Sequence, residues 1–124
     1  MAVGIGVRPQ VQIGKELELV RRYVLLGIAL QILTHDIRIV GEAQVKIPRL
    51  YESMLRGLQD RVLLEMAGFR KRFRDSGIRI DEELRGPERM TVGYNCLGYT
   101  HSFSMPWSLV RAEAERILKG YLSQ

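Results

Sequence analysis

Leu19, Tyr23, Leu26, Leu30, Leu33, Ile37 and Val40 follow one another at alternating steps of four and three, which puts all seven on one seam of a helix. The spacing predicts a helix over about 15–40, with Glu16 and Glu18 near its positive end and Gly41 as a left-handed stop. Such a helix spans roughly 39 Å at 1.5 Å per residue. A second apolar row, Leu17, Val20, Val24 and Ile28, lies beside the seam, with Leu25 and Ile32 nearby. Two faces of one helix therefore want cover, and a helix that is apolar on most sides is central in its fold or shared with a partner. The row Leu17, Val20, Val24 and Ile28 is the expected partner interface.

Glu42 to Lys46 is a short connection, and Pro48 suits a first helical turn because the N–H it lacks has no intrahelical partner there. A second helix is predicted over about 47–76, with the apolar row Ile47, Tyr51, Met54, Leu55, Leu58, Val62, Met66, Phe69 and Phe73 and with Gly77 as its stop. So short a link folds two long helices back antiparallel as a helical hairpin. Gly57 and Gly68 interrupt the second helix at about 1 kcal/mol each relative to alanine. Eleven residues apart, they share a face, and close approach of another backbone is the expected reason.

Beyond Ile78 and Ile80, which alternate, Gly86 and Pro87 punctuate the chain and the period changes to two. A β-hairpin is predicted over about 88–105, with Tyr94 opposite Tyr99, Val92 opposite His101 and Met90 opposite Phe103. That register separates an apolar from a polar face, and Gly98 supplies the positive φ of the turn. A last helix over about 106–122 buries Trp107, Val110, Ala114, Ile117, Leu118 and Tyr121. At the other end, Val3, Ile5 and Val7 alternate ahead of Pro9, so residues 1–14 are expected to be a short extended or poorly ordered segment. The order helix, helix, hairpin, helix is an α+β fold.

With 124 residues, 46% hydrophobic and 27% charged, the chain suits a single domain over 1–124 with one core. The longest apolar run, Tyr23 to Leu33, falls short of the roughly 20 residues of a bilayer crossing, and the first residues lack the pattern of a secretory leader. The single cysteine, Cys96, forms neither an internal disulfide nor a thiolate zinc cluster, which favours a reducing compartment. A cytoplasmic protein with no membrane association is expected. The net charge of +5 suits an acidic partner. Yet its densest basic stretch, Arg70, Lys71, Arg72, Arg74 and Arg79, runs straight into Asp81, Glu82 and Glu83, which makes a mixed surface.

Candidate chemistry is sparse. Gly4 and Gly6 resemble the start of a dinucleotide-binding turn, but the third glycine is missing at the required spacing. Cys96 is expected in the hairpin loop with His101 several residues down the strand, out of hydrogen-bond reach. His35 and Asp36 are adjacent on a helix and point about 100° apart, which argues against a dyad. Two histidines and one cysteine make no metal spacing where a structural zinc usually needs four ligands. No catalytic, cofactor-binding or metal-binding residue is named, and neither a cofactor nor a small-molecule substrate is expected. The sequence points to a non-catalytic interaction or regulatory protein acting through a helical surface, as a homodimer or with another protein. The alternative is a nucleic-acid-binding protein using Arg70, Lys71, Arg72, Arg74 and Arg79 at the basic end of the second helix.

Overall fold

A computed structural model describes the backbone of residues 2–123 and the side chains of residues 14–123. The elements are α1 (Ala2–Glu42), α2 (Pro48–Ser76), β1 (Ile78–Arg85), β2 (Arg89–Cys96), β3 (Tyr99–Pro106) and α3 (Trp107–Leu122). They form the expected α+β arrangement: a long helical hairpin, an antiparallel sheet and a C-terminal helix.

α1 and α2 run antiparallel and interlock through layers that recur every seven residues. Met66 reaches to 3.9 Å of where a Cβ on Gly27 would stand. Gln59 Nε2 donates to Thr34 Oγ1 at 3.1 Å, and Glu52 Oε1 lies 3.0 Å from the Cβ position of Gly41. Each layer seats a long side chain of α2 on a small residue of α1, so the two axes approach closely. Gly41 therefore serves this approach and not a left-handed stop; α1 runs on to Glu42, and positive φ among the described glycines falls at Gly77 and Gly98. At the open end of the hairpin, Tyr23 meets Phe69 and Phe73 edge to face, its centroid 5.2 Å from that of Phe73, and the two phenylalanine rings are tilted against each other.

The other sides of α1 are covered from within the chain. Val20, Val24 and Ile28 are 0%, 2% and 8% exposed and share the core with Met90, Val92, Tyr94, Val110 and Ala114, while Leu17 is half-buried. This corrects the expected partner interface: the sheet and α3 provide the cover that the sequence pattern demanded. Gly14–Glu42 is by length and composition apolar enough to cross a membrane, and 39% of its most apolar window is buried within the chain.

α1 begins at Ala2, where a short extended or poorly ordered segment was expected over residues 1–14. Val3, Val7 and Val11 fit a helical step of four as well as an alternating one. Glu16 consequently stands well inside a helix instead of at its positive end, and is buried.

The sheet has strand order β1-β2-β3. Met90, Val92, Tyr94 and Cys96 of the central strand point into the core. The hairpin is tighter than expected, with Cys96 opposite Tyr99, Tyr94 opposite His101, Val92 opposite Phe103 and Met90 opposite Met105. The slip is two residues, so every side chain keeps its predicted face. Leu97 and Gly98 alone make the turn, at φ 53 and 91, the double positive φ of a two-residue hairpin loop. Asn95 Oδ1 accepts from the Gly98 N–H at 3.0 Å.

β1 is a full strand that the alternation of Ile78 and Ile80 only hinted at. A bulge between Ile80 and Glu82 reverses its faces, bringing Glu83 opposite Val92 and Arg85 opposite Met90. Arg85 there donates to Gln31 of α1 at 2.9 Å. Trp107 Nε1 donates to the Gly86 carbonyl at 2.8 Å, tying the start of α3 to the β1–β2 turn.

Gly77 joins α2 to β1 at φ 70, and a Cβ there would stand 2.7 Å from Leu97 Cδ2. Gly77→Ala is expected to lower unfolding free energy by about 1–2 kcal/mol, read as a lower urea midpoint with an unchanged slope.

Candidate interaction surface

Three helices meet in a polar network that sequence reading did not single out. Arg22 grips Glu65 with two hydrogen bonds, Nε to Oε2 at 2.8 Å and Nη2 to Oε1 at 3.0 Å. Tyr121 Oη donates to the same carboxylate at 2.5 Å. Arg61 donates to the Tyr121 carbonyl at 3.0 Å and lies 4.7 Å over its ring. Burial favours the protonated form of Glu65, but the hydrogen bonds from Arg22 and Tyr121 outweigh it and hold the carboxyl below its ordinary 4.5. Burial and the Glu65 carboxylate push the Tyr121 hydroxyl up to about 12. The available signal was a glutamate seven residues after Leu58 and four before Phe69 of the apolar row.

Near this network α2 and α3 are close; towards the start of α3 they part. Between them opens a trough of about 780 Å³ floored by Ile28, Ile32, Leu55, Leu58, Val110 and Leu118. Its rim polar groups include pairs made within the chain: Arg85 with Gln31, Glu115 with Lys119, and His35 with Asp36. The last pair corrects the expectation from helical angles, since His35 Nδ1 lies 2.9 Å from Asp36 Oδ1. Two exposed side chains leaning together overcome a 100° difference in their starting directions.

Cys96 lies at the end of β2 and not in the loop, buried, its thiol donating weakly to the Ser76 carbonyl at 3.9 Å. Burial and the neighbouring Glu16 push that thiol up to about 12. His101 instead stacks on Tyr94, with centroids 5.2 Å apart. The structure therefore leaves Cys96 a protonated thiol at neutral pH, without the thiolate that nucleophilic work needs.

The basic stretch does not converge on one face. Arg70 donates to Tyr23 Oη at 3.3 Å, Arg72 lies 5.5 Å over the Phe69 ring, and Arg79 pairs with Asp81 at 2.7 Å. Arg74 shares the side of Arg70, whereas Arg72 stands about 160° around the helix from it. Phe69 and Phe73 are core residues, as the sequence implied.

What remains uncovered is the outer face of α2. Met54, Tyr51 and Ile47, expected in the buried row, are 54%, 41% and 52% exposed. The contact line with α1 passes through Phe73, Met66, Gln59 and Glu52, and a straight helix drifts about 20° per seven residues along such a line. By the first turns of α2 it has rotated onto polar residues and left these three outside. Leu50 and Leu64 are also outside, at 50% and 75% exposed. Gly57 and Gly68, expected beneath another backbone, have nothing within 4 Å of a Cβ position.

Residues 12–124 match the family described as YhjD protein. The chain belongs to the YhjD protein family. No curated protein and no solved structure matches it. The YhjD description names no activity, ligand or partner, so the physical surface carries the functional reading.

Three measurements check the network and the thiol in this YhjD family chain. Tyr121→Phe is expected to cost about 1.5–3 kcal/mol, the range for a hydrogen bond to a charged group, seen in urea unfolding at pH 7. The raised Tyr121 pKa means that its contribution is complete below 10, its unfolded value, and is lost as pH climbs towards about 12. The depressed Glu65 pKa acts in the opposite sense, its contribution fading as pH falls below 4.5. Tyr121→Phe should flatten the alkaline limb of a stability–pH profile. Cys96 should resist a thiol reagent in the native chain at mildly alkaline pH and react at once in denaturant.

Proposed function

We propose that this YhjD family chain is a non-catalytic interaction protein that acts through its helical surface, as a homodimer in the cytoplasm. The observation that carries the proposal is the outer face of α2, where Leu50, Met54 and Leu64 stay exposed after α1, the sheet and α3 have filled the core. Large apolar side chains grouped on one helical face mark contact surfaces more often than do scattered ones. A second copy is the occupant because the face is helical, long and repeats in steps that suit another helix of the same kind. The unpaired Cys96 supports a reducing compartment.

Light scattering across micromolar to high-micromolar concentrations should show a dimer in exchange with monomer. Leu64→Glu changes an exposed position, so circular dichroism and melting should be preserved, while dimer affinity falls at least tenfold, about 1.4 kcal/mol. A folded chain that stays monomeric throughout that range would overturn the proposal.

A further inference from the structure

Leu50, Met54, Gly57, Arg61, Leu64 and Gly68 follow at steps of four, three, four, three and four, and fall within an arc of about 80° on α2. This is a second heptad seam, on the side of α2 away from α1. The hairpin shows how this chain joins helices: Met66 on Gly27, Gln59 facing Thr34 and Glu52 on Gly41, each a long side chain on a small one. The outer seam has the same ingredients, with open space at both Gly57 and Gly68.

We infer that α2 pairs antiparallel with α2 of a second copy, about a two-fold axis beside Gln59. The inference rests on the homodimer proposed above and specifies its helix and register. In antiparallel coiled coils the two alternating seam positions face each other across the axis. In this register Leu50 meets the partner's Gly68, Met54 meets the partner's Leu64, and Arg61 meets the partner's Gly57. Two of the three layers set a large residue over a glycine, and the third joins two apolar chains of similar size. The Arg61 guanidinium is held by Tyr121 of its own chain, so its aliphatic stem is what crosses Gly57. A parallel pairing would stack glycine on glycine and arginine on arginine, leaving voids and like charge. The antiparallel register also brings Asp60 towards its own copy, a like-charge contact at the edge of the seam.

Short thiol-to-thiol cross-linking of single-cysteine additions tests the register, with the native Cys96 buried. Asp60→Cys should cross-link to itself. Ser53→Cys and Ala67→Cys should each fail alone, since Ser53 and its copy stand roughly 18 Å apart along the helices, and should cross-link when mixed. Gly68→Leu should leave the melting temperature unchanged or raised, because leucine favours helix over glycine and meets open space, yet weaken the dimer at least tenfold. Asp60→Asn should tighten it. Self-linking of Ser53→Cys and Ala67→Cys, or a Gly68→Leu dimer of undiminished affinity, would overturn the antiparallel register while leaving the dimer standing. Absence of any dimer by light scattering would remove both.

Discussion

α1 between Glu16 and Ile37 carries buried side chains around most of its circumference, and no single neighbouring helix can cover such a surface. The rest of the molecule answers that demand. α2 takes one side through seven-residue layers, the sheet takes another through Met90, Val92, Tyr94 and Cys96, and α3 closes the third through Val110, Ala114 and Ile117. Because α1 is shared by all three, a disturbance to it reaches every element. Glu16, buried near Cys96 and Tyr94, and Gln31, bonded to Arg85, mark the two ends of the stretch that lies along the sheet.

Small residues decide how close the helices come. Gly27, Thr34 and Gly41 recur every seven positions in α1, opposite Met66, Gln59 and Glu52, so each layer leaves room for a long side chain of α2. The polar network of Arg22, Glu65, Arg61 and Tyr121 then fixes where α3 crosses. A bidentate arginine–carboxylate pair tolerates little displacement, and α3 is held at one end by it and at the other by Trp107 on Gly86. The trough lies along the stretch of α3 between those two anchors.

Much of the fold was legible in the sequence because period is a strong signal: the helices, their pairing and the faces of β2 and β3 all follow from apolar spacing. What failed were judgements that needed a neighbour's position. The row Leu17, Val20, Val24 and Ile28 reads identically whether a partner or the chain's own sheet covers it. The hairpin slip of two residues preserves every face, so alternation could not detect it. Met54 and Tyr51 belong to the apolar row by spacing, and only the drift of the α1 contact line places them outside. The Glu65 network escaped because a lone glutamate in an apolar row says nothing of the two residues that hold it.

The bulge in β1 bears on how this molecule meets others. By turning Glu83 and Arg85 to the inner face of an outermost strand, it spoils the regular template that a foreign strand would need for adding itself to the sheet. Inward-facing charge on an outermost strand is a defence against strand addition along that margin.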